Sequence, residues 1–293
     1  MIIYNCRIIT WGNTNQILEN HAVRIVEDRI VELTNQDDLL LRFPDEEKLD
    51  AGGQVLMPGL ICAHTHFYGV FSRGMAIPGE APADFVEILK KLWWPLDQSL
   101  SKEDIYYSAL VCIIDAIRHG TTTVFDHHAS PGFINGSLDV IEMAVNETGI
   151  RASLCYEVTD RGGMEKSRAG VEENVRMIEK LRQNPAGSRV TAMFGLHAGL
   201  TLSDQTLELS RKEIPQGYGF HIHVAEHQSD EYKSLNQHGT RVIDRLDAHG
   251  ITGKNSIFVH GVHLDGKEVN TIYDTGTWLT HQPRSNMNNA VGM

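Results

Sequence analysis

Along the first 56 residues, short β-branched runs alternate with polar turns: MIIYNCRIITW, AVRIVEDRIVEL and VLMPG, separated by segments such as GNTNQ. Runs of this length bounded by turn residues predict strands. Residues 1–57 are therefore expected to form a small β module, part of a β-sandwich. After Pro58 the pattern changes. Seven short apolar runs follow: LICAH (60–64), TTTVFDHH (121–128), ASLCYEV (152–158), VTAMFGLHA (190–198), GFHIHVAE (219–226), SIFVHGVHL (256–264) and TWLTHQP (277–283). Between them lie segments such as KEDIYYSALVCIIDAIRHG and VEENVRMIEKLRQ, with apolar residues at i, i+3 and i+4. That spacing predicts helices. Gly120, Gly149, Gly250 and Gly276 close four of these segments, as the left-handed residue after a helix requires.

Strands buried on both faces and joined by helices imply a parallel sheet. Repetition over more than 200 residues favours a (β/α)8 TIM barrel over a doubly wound sheet. No G-x-G-x-x-G turn follows the first run, as a doubly wound nucleotide fold would carry. Seven runs are one short of a closed barrel. The expectation is an α/β chain whose catalytic barrel, residues 58–293, is incomplete at its C-terminus and lacks the eighth strand.

Composition narrows the partners. The formal net charge is −12, and no basic run is present, which disfavours nucleic acid and anionic membranes. No apolar stretch is long enough to span a bilayer. Cys6, Cys62, Cys112 and Cys155 form no C-x-x-C pair and read as reduced thiols. The N-terminus lacks the marks of a signal peptide. A cytoplasmic protein acting on a small molecule is expected, with a homodimer as the prior for a metabolic barrel.

The histidines carry the chemistry. Six of the seven runs hold histidine at or near their C-terminal ends, where barrel enzymes place their active sites. Period two puts His64 and His66 on one strand face. Neutral imidazoles suit Zn²⁺ or Fe²⁺. Alone, His-x-His also fits two polar residues ending a strand. Run five adds His223 and, three residues on, Glu226, a ligand beside a carboxylate able to shuttle a proton. His127 and His128 alternate faces, so at most one points inward. His221 shares the parity of His223 and is expected deeper, in the core or behind a ligand. Phe67, Tyr68, Phe71, Trp93 and Trp94 are more simply packing than a substrate wall, and Arg161 is expected at the surface.

With MPGLICAHTHFYGVFSRGM, HGTTTVFDHHASP, HIHVAEH and HQPRSNMNNAVG in order, the chain resembles the amidohydrolase superfamily. The nearest branch is the cytosine/guanine deaminase-like and chlorohydrolase-like one, which includes the SsnA-type aminohydrolases. The resemblance implies a metal-dependent hydrolase barrel. It makes His64, His66 and His223 metal ligands, Glu226 the acid/base, His260 the group that orients water or polarises substrate, and His197 a substrate contact. No lysine ends the fourth run, so the resemblance implies one divalent metal ion, Zn²⁺ or Fe²⁺, rather than a bridged pair. The implied reaction replaces the exocyclic amine of a nitrogen heterocycle by oxygen. The alternatives are dechlorination or amide hydrolysis by the same site, or an inactive fragment. The last weighs because the family's final ligand is an aspartate on strand eight, and no aspartate follows His281.

Overall fold

The computed structural model describes residues 1–183 and 188–292. The chain divides into two compact units, Met1–Leu60 and Ile61–Met293.

In the first unit, β1 (Ile2–Ile9), β2 (Ile17–Val26), β3 (Arg29–Asn35), β4 (Lys48–Asp50) and β5 (Val55–Leu56) form one sheet in the order β3-β2-β1-β4, with β5 also paired to β1. The β1–β2 and β2–β3 pairs are antiparallel, whereas β4 and β5 run parallel to β1. A helix that the strand pattern does not predict, α1 (Gln36–Arg42), follows β3. Asn35 caps it by accepting from the amides of Asp37 and Asp38, and Leu39 is buried beneath it beside Ile2 and Ala22.

The second unit is built from eight parallel segments in two four-stranded sheets. One holds β6 (Leu60–Thr65), β7 (Thr121–His128), β8 (Arg151–Tyr156) and β9 (Val190–Ala192). The other holds β10 (Phe194–Ala198), β11 (Phe220–Val224), β12 (Ile257–His260) and β13 (Trp278–Thr280). All seven runs after Pro58 thus form strands. The fourth is split at Met193 between β9 and β10, so seven barrel strands are described. Among the described residues, no further strand pairs with the outer edge of β6 or of β13.

Helices alternate with these strands. After β6 come α2 (Phe85–Ile88) and α3 (Trp94–Ser99), joined by one π-helical turn, and then α4 (Lys102–Arg118). The others are α5 (Ser137–Thr148), α6 (Met164–Gln183), α7 (Asp204–Glu213), α8 (Gln228–His238), α9 (Val242–Ala248), α10 (Gly266–Thr275) and α11 (Pro283–Asn288). The four glycines expected after helices all adopt positive φ, between 67° and 80°. One continuous core joins strand residues such as Leu154, Phe194, Ile222 and Phe258 to helix residues such as Ile105, Ile141 and Leu246.

The strands approach closely at two glycines. A Cβ on Gly195 would lie 2.3 Å from the Tyr156 carbonyl oxygen, and one on Gly219 would lie 2.0 Å from that of Asn255. Backbone cannot yield as a flexible side chain can. Gly195→Ala is therefore expected to cost about 3 kcal/mol or more, read as a lowered midpoint in urea. Gly266→Ala, where nothing lies within 4 Å, serves as the silent control. Equal midpoints would refute the close approach.

Candidate active site

The strands end in a ring of imidazoles, and hydrogen bonds fix which nitrogen of each is free. His66 Nδ1 lies 2.6 Å from the His127 carbonyl oxygen, and His223 Nδ1 lies 2.7 Å from that of His197. A carbonyl only accepts, so each Nδ1 carries the proton and each Nε2 of the neutral ring is a bare lone pair. Yet these two Nε2 atoms face each other at 3.1 Å, and His223 Nε2 lies 3.2 Å from His64 Nε2. On the far side of its ring, His64 Nδ1 is 3.0 Å from His221 Nε2, and His221 Nδ1 meets the Cys155 thiol at 3.7 Å. A proton on each Nδ1 satisfies that chain and leaves His64 Nε2 bare as well. His260 Nδ1 donates to Asn286 Oδ1 at 2.7 Å, which frees its Nε2 in the same way.

Lone pairs facing at 3.1–3.2 Å repel unless a cation lies among them. Nitrogens bound to one tetrahedral zinc at about 2.0–2.1 Å stand roughly 3.3 Å apart. The donor set therefore fits a divalent metal. His223 is common to all three sets whose donor atoms lie within 4.8 Å of one another: with His64 and His260, with His66 and His127, and with Glu157 and His197. Chemistry separates these sets. Both nitrogens of His127 face acceptors: Nε2 the carbonyls of Leu196 and His221 at 3.1 and 3.0 Å, and Nδ1 the Glu157 carboxylate at 3.2 Å. Glu157 is also 3.5 Å from the Arg161 guanidinium. The free lone pairs belong to His64, His66, His223 and His260.

Electrostatics keeps these rings in the metal-binding form. Burial, and then the neighbouring imidazoles, push His64 and His223 well below the ordinary histidine range. Burial lowers His66 and His260 to about 4. All are neutral at pH 7, as ligation requires.

Glu226 stands beside this ring. Burial raises it to about 7, opposed by a hydrogen bond from Asn289. Asn289 Nδ2 donates to Oε1 at 3.2 Å, while Oε2 lies 3.5 Å from His260 Nε2. A left-handed residue re-aims the chain just before it. Ala225 has φ 47°, and the buried Asp230 carboxylate holds its amide at 2.9 Å. His260 itself has φ 78° at the end of β12.

A cavity of about 290 Å³ opens over these groups. Tyr68, Phe85, Trp93 and Trp94 form its apolar wall, and Asp97 and His197 also face it. Tyr68, Trp93 and Trp94 thus line the cavity, whereas Phe67 is core packing. His197 Nδ1 lies 2.6 Å from Thr201 Oγ1, and its Nε2 is 3.7 Å from Glu157. His127 enters the cluster, whereas His128 turns to Ser130 Oγ at 2.9 Å. His281 is exposed.

Arg161 departs from its expected surface position. Its side chain is only 10% exposed, pairs with Asp97 at 2.7 Å, and lies near the Trp94 ring. Burial raises Asp97 to about 7 against the pull of Arg161. Burial likewise raises Asp126, which accepts from the Phe67 amide behind His66, to about 7. Burial acts the same way on Glu157, but His197, His127 and Arg161 together hold it well below the usual carboxylate range. Sequence reading singled out none of Asp97, Asp126, Glu157, Asn286 or Asn289.

Parallel strands ending in free imidazole lone pairs define a (β/α)-barrel protein of the kind that holds a divalent metal at its mouth. The pattern described as "Amidohydrolase family" matches residues 55–293, and the chain belongs to that family. It is 32% identical over 273 residues to a 5'-deoxyadenosine deaminase of Methanobrevibacter smithii, covering 93% of this chain and 59% of that protein. It is 32% identical over 247 residues to a 5-methylthioadenosine/S-adenosylhomocysteine deaminase of Thermococcus sibiricus, covering 84% and 55%. The chain thus spans about three fifths of the first of these curated relatives and somewhat less of the second. Among solved structures, a zinc-bound adenosine deaminase of Xanthomonas campestris superposes with TM-score 0.82 at 23% identity, over 100% of this chain and 64% of that one. The zinc complex of the Arthrobacter aurescens atrazine chlorohydrolase gives 0.83 at 20%, over 100% and 67%. These two likenesses establish the fold. Among the described residues, no helix is long and apolar enough to cross a membrane.

Proposed function

We propose that the chain carries the metal-binding and proton-transfer apparatus of an aminohydrolase that replaces the exocyclic amine of an adenine-type nucleoside by oxygen. The observation that carries this reading is the set of bare Nε2 lone pairs beside a carboxyl group raised to about 7. The adenosine-type substrates named for the two curated relatives support the choice of heterocycle. His64, His66 and His223 hold the metal, with His260 Nε2 as a further donor or as the group that orients water. Zinc is favoured over iron(II) because two of the structural neighbours hold zinc. When bound, a divalent ion supplies Lewis acidity that makes water nucleophilic near neutral pH.

The remaining steps belong to this chain's residues. Because Asn289 donates to Glu226 Oε1, the proton of the acid form sits on Oε2. From there it passes to the ring nitrogen as water adds to the amidine carbon. The carboxylate then takes one proton from the added water and delivers it to the departing amine, which leaves as ammonia, and takes the second as the new carbonyl forms, which restores the acid. The aromatic wall packs the heterocycle and excludes bulk water, and His197 contacts it from the side of the fourth strand. Free cysteines fit a reducing compartment such as the cytoplasm.

The test is ammonia release from a panel of purine nucleosides, pyrimidines and triazines after loading with Zn²⁺ or Fe²⁺. Release from adenine-type nucleosides above the others supports the reading. Metal bound stoichiometrically with no release from any of them overturns it, and chloride from a chlorotriazine reassigns the site. A pH profile gives a second check. Glu226 acts as the acid, and its raised value of about 7 means that the competent form is present below that pH and lost above it. Turnover is therefore expected to fall as pH rises through about 7. A rate that climbs steadily from pH 6 to 9 would remove Glu226 from the acid role.

A further inference from the structure

Helix α4 lies on the outside of the barrel unit, and its solvent face is unusually apolar. Tyr107, Val111, Ile114 and Ile117 are 50%, 49%, 45% and 43% exposed, and Met143 on the neighbouring α5 is 58% exposed. Exposed apolar residues are ordinary when scattered. Here four of them fall at helical spacing on one helix, and such clustering marks an interaction surface.

The ends of the same face are charged in opposite senses. Glu103, Tyr107, Val111, Ile114 and Arg118 succeed one another at spacings of four, four, three and four residues, which places all five on one stripe of an α-helix. The stripe is acidic in its first turn, apolar in its middle and basic in its last turn. Glu103 and Arg118 are both exposed, and among the described residues neither makes a salt bridge. A second copy of α4 laid antiparallel brings Glu103 opposite Arg118 at each end. The same alignment sets Tyr107 against Ile114 on both sides of a central Val111 pair. This is the self-complementarity of a two-fold interface, in which one patch meets itself.

We propose that the exposed face of α4, widened by Met143 on α5, is a homodimer interface formed by antiparallel packing of α4 on its copy, with Glu103–Arg118 pairs at both ends. The charge order selects the occupant. A stripe that is acid, apolar and basic along its length is matched by its own reverse.

The test uses the whole chain, with oligomeric state read by light scattering coupled to gel filtration across a concentration series. Wild type is expected to run as a dimer at micromolar concentration. Ile114→Lys is expected to weaken association by about thirtyfold or more, because the substitution enters the interface twice. Glu103→Arg alone and Arg118→Glu alone are each expected to give monomer. Mixing those two variants in equal amounts is expected to restore the dimer, since each then meets its opposite charge. Thermal melts confirm that these exposed substitutions leave the fold intact. A monomeric wild type overturns the proposal. So does a dimer that Ile114→Lys leaves unchanged, or a pair of charge variants that stays monomeric when mixed. None of these readouts depends on turnover, so they stand or fall separately from the proposed reaction.

Discussion

Glu226→Gln is expected to reduce ammonia release about a thousandfold while leaving the bound metal in place. Glutamine keeps the length of the side chain and can still accept from Asn289 at Oε1, where that hydrogen bond measures 3.2 Å. It cannot carry an acidic proton on the second atom, which lies 3.5 Å from His260 Nε2. Positioned acid–base groups contribute about 10²–10⁴ in rate. Glu226 is assigned two successive transfers, to the ring and to the leaving amine, so the upper half of that range applies. Turnover numbers and metal content measured on the same samples separate this loss from loss of the ion. A variant that keeps more than a tenth of the rate would mean that another group delivers the proton.

His223→Ala is expected to abolish tight metal binding. His223 Nε2 lies 3.2 Å from the Nε2 of His64 and 3.1 Å from that of His66, and among the described residues it belongs to all three compact donor sets. Removing it leaves the other lone pairs without a common centre. In wild type, metal at a hundred times its dissociation constant adds about 2.7 kcal/mol to stability. For a chain of 293 residues, at about 2.1 cal/mol/K of unfolding entropy per residue, that is a rise of roughly 4 °C in melting temperature. In His223→Ala this rise should shrink below about 1 °C, and the metal retained after dialysis should fall to about a tenth of an equivalent or less. His221→Ala provides the contrast. Of the proposed ligands its ring hydrogen-bonds His64 alone, at the far nitrogen, 3.0 Å away, and such supporting contacts cost about 10–100-fold in metal affinity. A His223→Ala protein that still holds one equivalent would refute the ligand assignment.

The parts of this site visible in the sequence share one property: they are local. His64 and His66 are two apart on one strand, and His223 and Glu226 three apart across a strand end. Strand periodicity and loop position suffice to place such pairs. The groups that set their protons come from far along the chain. Asn289 reaches Glu226 across 63 residues, Asn286 reaches His260 across 26, and Asp97 reaches Arg161 across 64. No periodicity reports such contacts, which is why Arg161 reads as a surface residue and is found only 10% exposed. Helix α8 gives no helical signal in the sequence for another reason. Its buried residues are Asp230, Glu231 and Ser234, so the face it turns inward is polar and gives no hydrophobic repeat. In α1 the signal was present but short: an asparagine cap, two acidic residues and a terminal arginine.

The split of the fourth strand at Met193 has a consequence for how the barrel unit stays together. It leaves two four-stranded sheets, β6 to β9 and β10 to β13. His64 ends a strand of the first and His66 directly follows it, whereas His223 and His260 end strands of the second. The ion proposed for this site would act as a rivet between two plates, joining points 157 residues apart along the chain and adding to the backbone bridge between Val158 and Leu196. Chelation should then loosen the fold as well as empty the site. Hydrogen exchange should quicken along the join, in the amides around Met193, before either plate itself begins to open.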